Sequence, residues 1–184
     1  MQLRNSSARF GAVAQTLHWL VAALIVYQFI LAERAESATL FQKLGILATH
    51  KSVGLSVLAL AVIRLIWRLY NVRPASPATE PAVRRTLARL SHALLYGLLL
   101  ALPISGWLMS SAANTPVSYF GRVTLPDLIA PSEVWAERLL DIHAALFWSL
   151  ATVVAVHASA ALYHHFVLRD DILRRMLPSI GDSP

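Results

Sequence analysis

Five of the seven histidines in this 184-residue chain, His18, His50, His92, His143 and His157, sit in stretches that are otherwise almost wholly apolar. An imidazole at membrane depth is costly and marks a functional site. The chemistry open to it there is metal ligation or proton transfer. The chain has no cysteine. Thiolate metal sites, c-type haem attachment, iron–sulfur clusters and disulfides are therefore excluded, and metal chemistry has to run through histidine.

The segment "DIHAALFWSLATVVAVHASAALYHHFVLRDD", residues 141–171, carries four of the seven. His143 and His157 are fourteen residues apart. At about 100° per residue they fall about 40° short of four full turns, so they share a helix face, about 21 Å apart along the axis. That spacing suits two haems stacked across a membrane, one to each leaflet. His164 stays on the same face, whereas His165 is turned away by about 100° and reads as interfacial.

The elements that must position these rings are legible from composition. Hydrophobic residues make up 57% of the chain and charged residues 14%, well away from the balance of soluble domains. Apolar runs near 13–31, 46–69, 90–112 and 139–168 are each long enough to cross a bilayer, the last within a helix expected over 132–168. The first resembles a signal peptide in its flanking Arg4 and Arg9, but His18, Tyr27 and Gln28 interrupt its core. The expected fold is all-α, an up-down-up-down four-helix bundle forming one transmembrane domain over 1–184. Ser132 is the expected N-cap of the last helix, with Glu133 and Glu137 in its first two turns.

Basic residues give the orientation. Arg4, Arg9, Arg68, Arg73, Arg84, Arg85, Arg89, Arg169, Arg174 and Arg175 fall on one side, and Arg34, Lys43, Lys51, Arg122 and Arg138 on the other. The richer side is cytoplasmic by the positive-inside rule, so both termini are expected there. The net charge of +6 is then a membrane signature, and no nucleic-acid partner is implied.

Depth now sorts the histidines. His50 and His143 are the histidines at the outer level, so they pair as axial ligands of one b-type haem. At the inner level His157 pairs with either His18 or His92. Arg64 lies fourteen residues after His50, at inner depth, where a haem propionate would be its bidentate partner. His92 reads equally well as a structural histidine bonded across a helix interface. Lys51, next to His50, reads as snorkelling to the surface.

The stretches "LHWL", "HKSVGLSVLALAVIRLIWRL", "SHALLYGLLLALPISG" and "HAALFWSLATVVAVHASAALYHHF" resemble, in order and spacing, the prokaryotic cytochrome b561 family. The resemblance covers roughly residues 15–178. It implies two haem b groups, with His18 and His157 holding the cytoplasmic one and His50 and His143 the periplasmic one. It also implies a bacterial inner-membrane location and a quinone site near His164. Some members pass electrons from periplasmic superoxide to ubiquinone. The outer loops here carry five basic and six acidic residues, so any attraction for that anion rests on a local patch of Lys43, Lys51, Arg122 and Arg138.

Two imidazoles on each iron leave no open coordination position, so edge-to-edge electron transfer is expected rather than oxygen activation. The expected reaction takes electrons from a periplasmic one-electron donor, superoxide or a redox protein, through the outer and then the inner haem to ubiquinone. His164 would supply a proton to the quinone. Two alternatives remain: a cytochrome b subunit linking a hydrogenase or dehydrogenase to the quinone pool, and a histidine-lined metal or proton transporter. The paired ligands and the lack of intramembrane carboxylates speak against the transporter.

Overall fold

The computed structural model describes residues 2–72, 74–75 and 81–177. Arg73, counted above with the inner-side charges, lies outside them. Four helices dominate: α1 (Ala12–Ser37), α2 (Leu40–Tyr70), α3 (Ala82–Ala112) and α4 (Glu133–Tyr163). Each is long and apolar enough to cross a membrane. Between α3 and α4 lies a small hairpin, β1 (Ser118–Tyr119) with β2 (Val123–Thr124). The architecture is the expected transmembrane four-helix bundle.

The helices outrun their apolar cores, because only part of each has to match hydrocarbon. At 1.5 Å per residue, 31 residues reach about 46 Å, against roughly 30 Å of bilayer interior. Flanking runs of good helix formers such as "LAERAES" and "AVRRTLAR" extend them at both ends. As a result α1 and α2 are joined by Ala38 and Thr39 alone. Thr39 caps α2, its N–H donating to Gln42 Oε1 at 3.2 Å. Ser132 caps α4 as expected, accepting from the Trp135 N–H, with Glu133 in the first turn.

Neighbouring helices pack in sequence, α1 on α2, α2 on α3 and α3 on α4, while α4 has no comparably close backbone packing with α1 or α2. Side chains fill that gap. The core joins Val21 and Ile25 of α1, Val57 and Ala61 of α2, Leu99 of α3 and Leu150 of α4. Leu150 is seven residues from both His143 and His157, so this apolar layer sits midway between two histidine levels. Phe29 stacks on Phe147 at its rim, with centroids 4.7 Å apart. Several hydroxyls inside the helices bond their own backbone, as Ser56 does to Ser52 O and Ser149 to Ala145 O. That satisfies them where water is absent.

The two ends of the bundle differ. At one end the hairpin turns through Phe120 and Gly121, both at positive φ, and docks on α2. Ser52 accepts from the Phe120 N–H at 2.9 Å and lies 3.2 Å from Ser118 O, and the Ser56 and Tyr119 hydroxyls are 3.1 Å apart. This hairpin was not foreseen. At the other end the N-terminal and C-terminal segments form a clasp. Arg9 donates to Leu177 O at 3.0 Å, Gln15 to Arg175 O at 3.1 Å, and Trp19 Nε1 to Met176 O at 2.8 Å. Arg175 bonds Ala75 O and also Asp171, whose carboxyl it holds below the usual range.

Candidate functional site

Histidines from opposite helices converge at two levels. At the hairpin end the rings of His50 (α2) and His143 (α4) face each other with centroids 6.4 Å apart and planes at 72°. At the clasp end His18 (α1) and His157 (α4) stand 6.3 Å apart at 70°. His92 (α3) also approaches His157, at 5.5 Å. All five rings are half-buried. The two levels follow from α4 running unbroken through both positions, which places their rings about 21 Å apart along its axis.

The opposed pairs have the spacing of two imidazoles on one metal. An imidazole nitrogen sits about 2.0 Å from a bound metal and about 1.15 Å from its own ring centre, so rings on opposite sides of one ion have centroids about 6.3 Å apart. The His50–His143 and His18–His157 pairs match this; the 5.5 Å of His92–His157 is too short for it. Nδ1 of His18 and Nδ1 of His50 are buried without a hydrogen-bond partner among the described residues, a costly state unless the rings serve a ligand. No group of three or more His, Asp or Glu side chains is arranged to hold a metal ion by itself among those residues. A metal held here must therefore bring further donors with it, as the four porphyrin nitrogens of haem do. The residues fit a haem at each level.

Small residues make way for the rings. A Cβ on Gly106 of α3 would meet His143 Cε1 at 3.0 Å, so that glycine is what allows the ring to lie against α3. Ser105 Oγ is 2.9 Å from His143 Nδ1. On α2, a Cβ on Gly54 would meet Gln28 Nε2, which donates to His50 O at 2.9 Å. None of Ser105, Gly106 and Gln28 was singled out for the site from the sequence. The signal available was the small pair in "PISG" and an amide in an apolar helix, both also ordinary features of membrane helices.

Arg64 lies within electrostatic reach of His18, His92 and His157. Its guanidinium sits 5.8 Å from the centre of the Tyr96 ring, with Arg68 at 5.2 Å from the same ring. His164 begins a single π-helical turn, His164–Leu168, which Arg169 ends at φ 53°. Such turns recur at functional sites. Its Nδ1 forms a short hydrogen bond with Asp170, whose other oxygen accepts from the Ile172 N–H at 3.1 Å. His165 packs edge-on to the adjacent Phe166 at 4.8 Å.

Lys43, Lys51, Arg122 and Arg138, expected as a local patch, are not joined to one another by hydrogen bonds among the described residues. Lys51 Nζ donates to Thr115 O at 2.9 Å and lies 3.2 Å from the Thr115 hydroxyl. Arg138 lies over Trp135 at 5.7 Å. No hydrogen bond or ion pair joins Lys43 or Arg122 to either of them among the described residues.

A family model for prokaryotic cytochrome b561 matches residues 9–179. The chain is 33% identical to cytochrome b561 homolog 2 of Escherichia coli (strain K12) over 179 residues, covering 96% of this chain and 95% of that protein. It is 31% identical over 171 residues to a probable superoxide oxidase CybB of Yersinia pestis, covering 92% and 96%. Cytochrome b561 homolog 1 of Escherichia coli (strain K12) is 28% identical over 176 residues. With its four spans and its two levels of facing histidines, the chain belongs to the prokaryotic cytochrome b561 family: a bacterial multi-pass membrane protein that binds haem b and transfers electrons.

Proposed function

We propose that the protein is a di-haem oxidoreductase of the inner membrane that takes single electrons from a periplasmic donor, superoxide, and delivers them to ubiquinone. The observation that carries this reading is the pair of 6.3 and 6.4 Å ring separations at two depths. His50 and His143 hold one haem b at the hairpin end, and His18 and His157 hold the other at the clasp end. Each haem, when bound, stores and releases one electron without opening a coordination position. The excess of basic residues at the clasp end supports placing that end, with both termini, in the cytoplasm.

The remaining roles belong to side chains of this chain. Arg64, charged and without a carboxylate partner among the described residues, suits a propionate at the inner level. Asp170 orients His164 through Nδ1, which suits proton delivery to a quinone bound at the cytoplasmic end. Lys43, Lys51, Arg122 and Arg138 lie on the donor side, and Lys51 there is tied to Thr115. The similarity to the probable superoxide oxidase of Yersinia pestis supports superoxide as donor over a hydrogenase or dehydrogenase partner. The arrangement of the histidines as two facing pairs disfavours a transporter.

Rapid mixing of the purified protein with superoxide and ubiquinone tests this. Haem reduction should track superoxide loss, with ubiquinol formed in step. His164→Gln should accept electrons at the parent rate and release them to quinone at least tenfold more slowly. Haem that stays oxidised while superoxide decays at its spontaneous rate rejects the donor assignment.

A further inference from the structure

The two histidine levels are not chemically equivalent. At the hairpin end, His143 is anchored through its second ring nitrogen: Nδ1 lies 2.9 Å from Ser105 Oγ. Ser105 is buried, and its hydroxyl proton is already committed to Leu102 O, 2.8 Å away. The serine oxygen can therefore only accept from the ring. The Leu102 carbonyl, also within reach of the His143 side chain, is an acceptor as well. The serine calls for a proton on Nδ1, which leaves Nε2 with its lone pair free. Gly106 completes the socket by leaving room for the ring. At the clasp end the situation is opposite. Neither His18 nor His157 has a hydrogen bond to a side chain or backbone group among the described residues, and His18 Nδ1 is buried.

We propose that Ser105 is a positioning residue that fixes the tautomer and ring plane of His143 and thereby sets the haem at the hairpin end to a lower reduction potential than the haem at the clasp end. The proposal rests on the ligand scheme given above. A ligating imidazole that donates its other N–H to an oxygen becomes more basic. A more basic axial ligand stabilises the ferric state, so the anchored haem is the weaker oxidant. Electrons arriving at the hairpin end then run downhill to the clasp end. The serine touches neither iron nor substrate and acts only through His143.

The test uses the intact protein in detergent, with potentiometric titration of the haem bands and electron paramagnetic resonance of the oxidised haems. The haem missing from His143→Ala identifies which titration wave and which resonance belong to the hairpin end. In Ser105→Ala that wave should move to higher potential and its resonance should shift, with the other wave and resonance unmoved. Ser105→Thr, which keeps the hydroxyl, should return both toward the parent. Loss of that one haem in Ser105→Ala with retention in Ser105→Thr supports the same role. Two potentials and two resonances unchanged in Ser105→Ala overturn the proposal. If His143→Ala instead retains both haems, the ligand scheme itself fails, independently of the serine.

Discussion

His157 has two imidazole neighbours, and in the proposed ligand scheme ring distance separates their roles. His18 stands at 6.3 Å and His92 at 5.5 Å, and only the former leaves room for an iron between coaxial nitrogens. His18→Ala should bind one haem b per chain, whereas His92→Ala should keep two, read from the pyridine haemochrome. The fourteen-residue spacing on α4 was legible in the sequence because helix periodicity is fixed. The choice between His18 and His92 was not legible from depth, since both lie at the same level on different helices. The anchoring of His143 was equally hidden. Serine and glycine in an apolar helix are ordinary, and only their packing against a particular ring gives them a role.

Among the elements, the hairpin carries the clearest energetic consequence. Ser52 is buried and serves three backbone groups at once, those of Ala48, Ser118 and Phe120. Its loss leaves the Phe120 N–H and the Ser118 carbonyl without that partner, which costs about 2 kcal/mol. Ser52→Ala should lower the thermal midpoint by roughly 5 °C, followed by the loss of haem absorbance, while the haem content at room temperature stays that of the parent. The four spans were legible because length and apolarity alone define them. Their true ends were not, since the extensions are set by helix propensity outside the apolar core. The strands have two residues each, too few for an alternating pattern to register.

At the scale of the whole molecule, the apolar layer around Val21, Ala61, Leu99 and Leu150 stands between the two histidine levels. With one haem at each level, as proposed above, an electron exchanged between them moves charge along the membrane normal, and the step is electrogenic. The levels are about 21 Å apart in roughly 30 Å of hydrocarbon. A unit charge crossing the full field exchanges about 2.3 kcal/mol per 100 mV, so this step exchanges about 1.6 kcal/mol. In vesicles poised at one electron per protein, an imposed 100 mV should redistribute that electron between the two haem spectra about fifteen-fold. The haem on the positive side gains, and in a vesicle preparation of known sidedness its identity reports which end of the bundle faces the cytoplasm. A distribution indifferent to voltage would mean that both haems lie at one depth. With two haems so placed, the membrane potential acts on this protein as a second substrate.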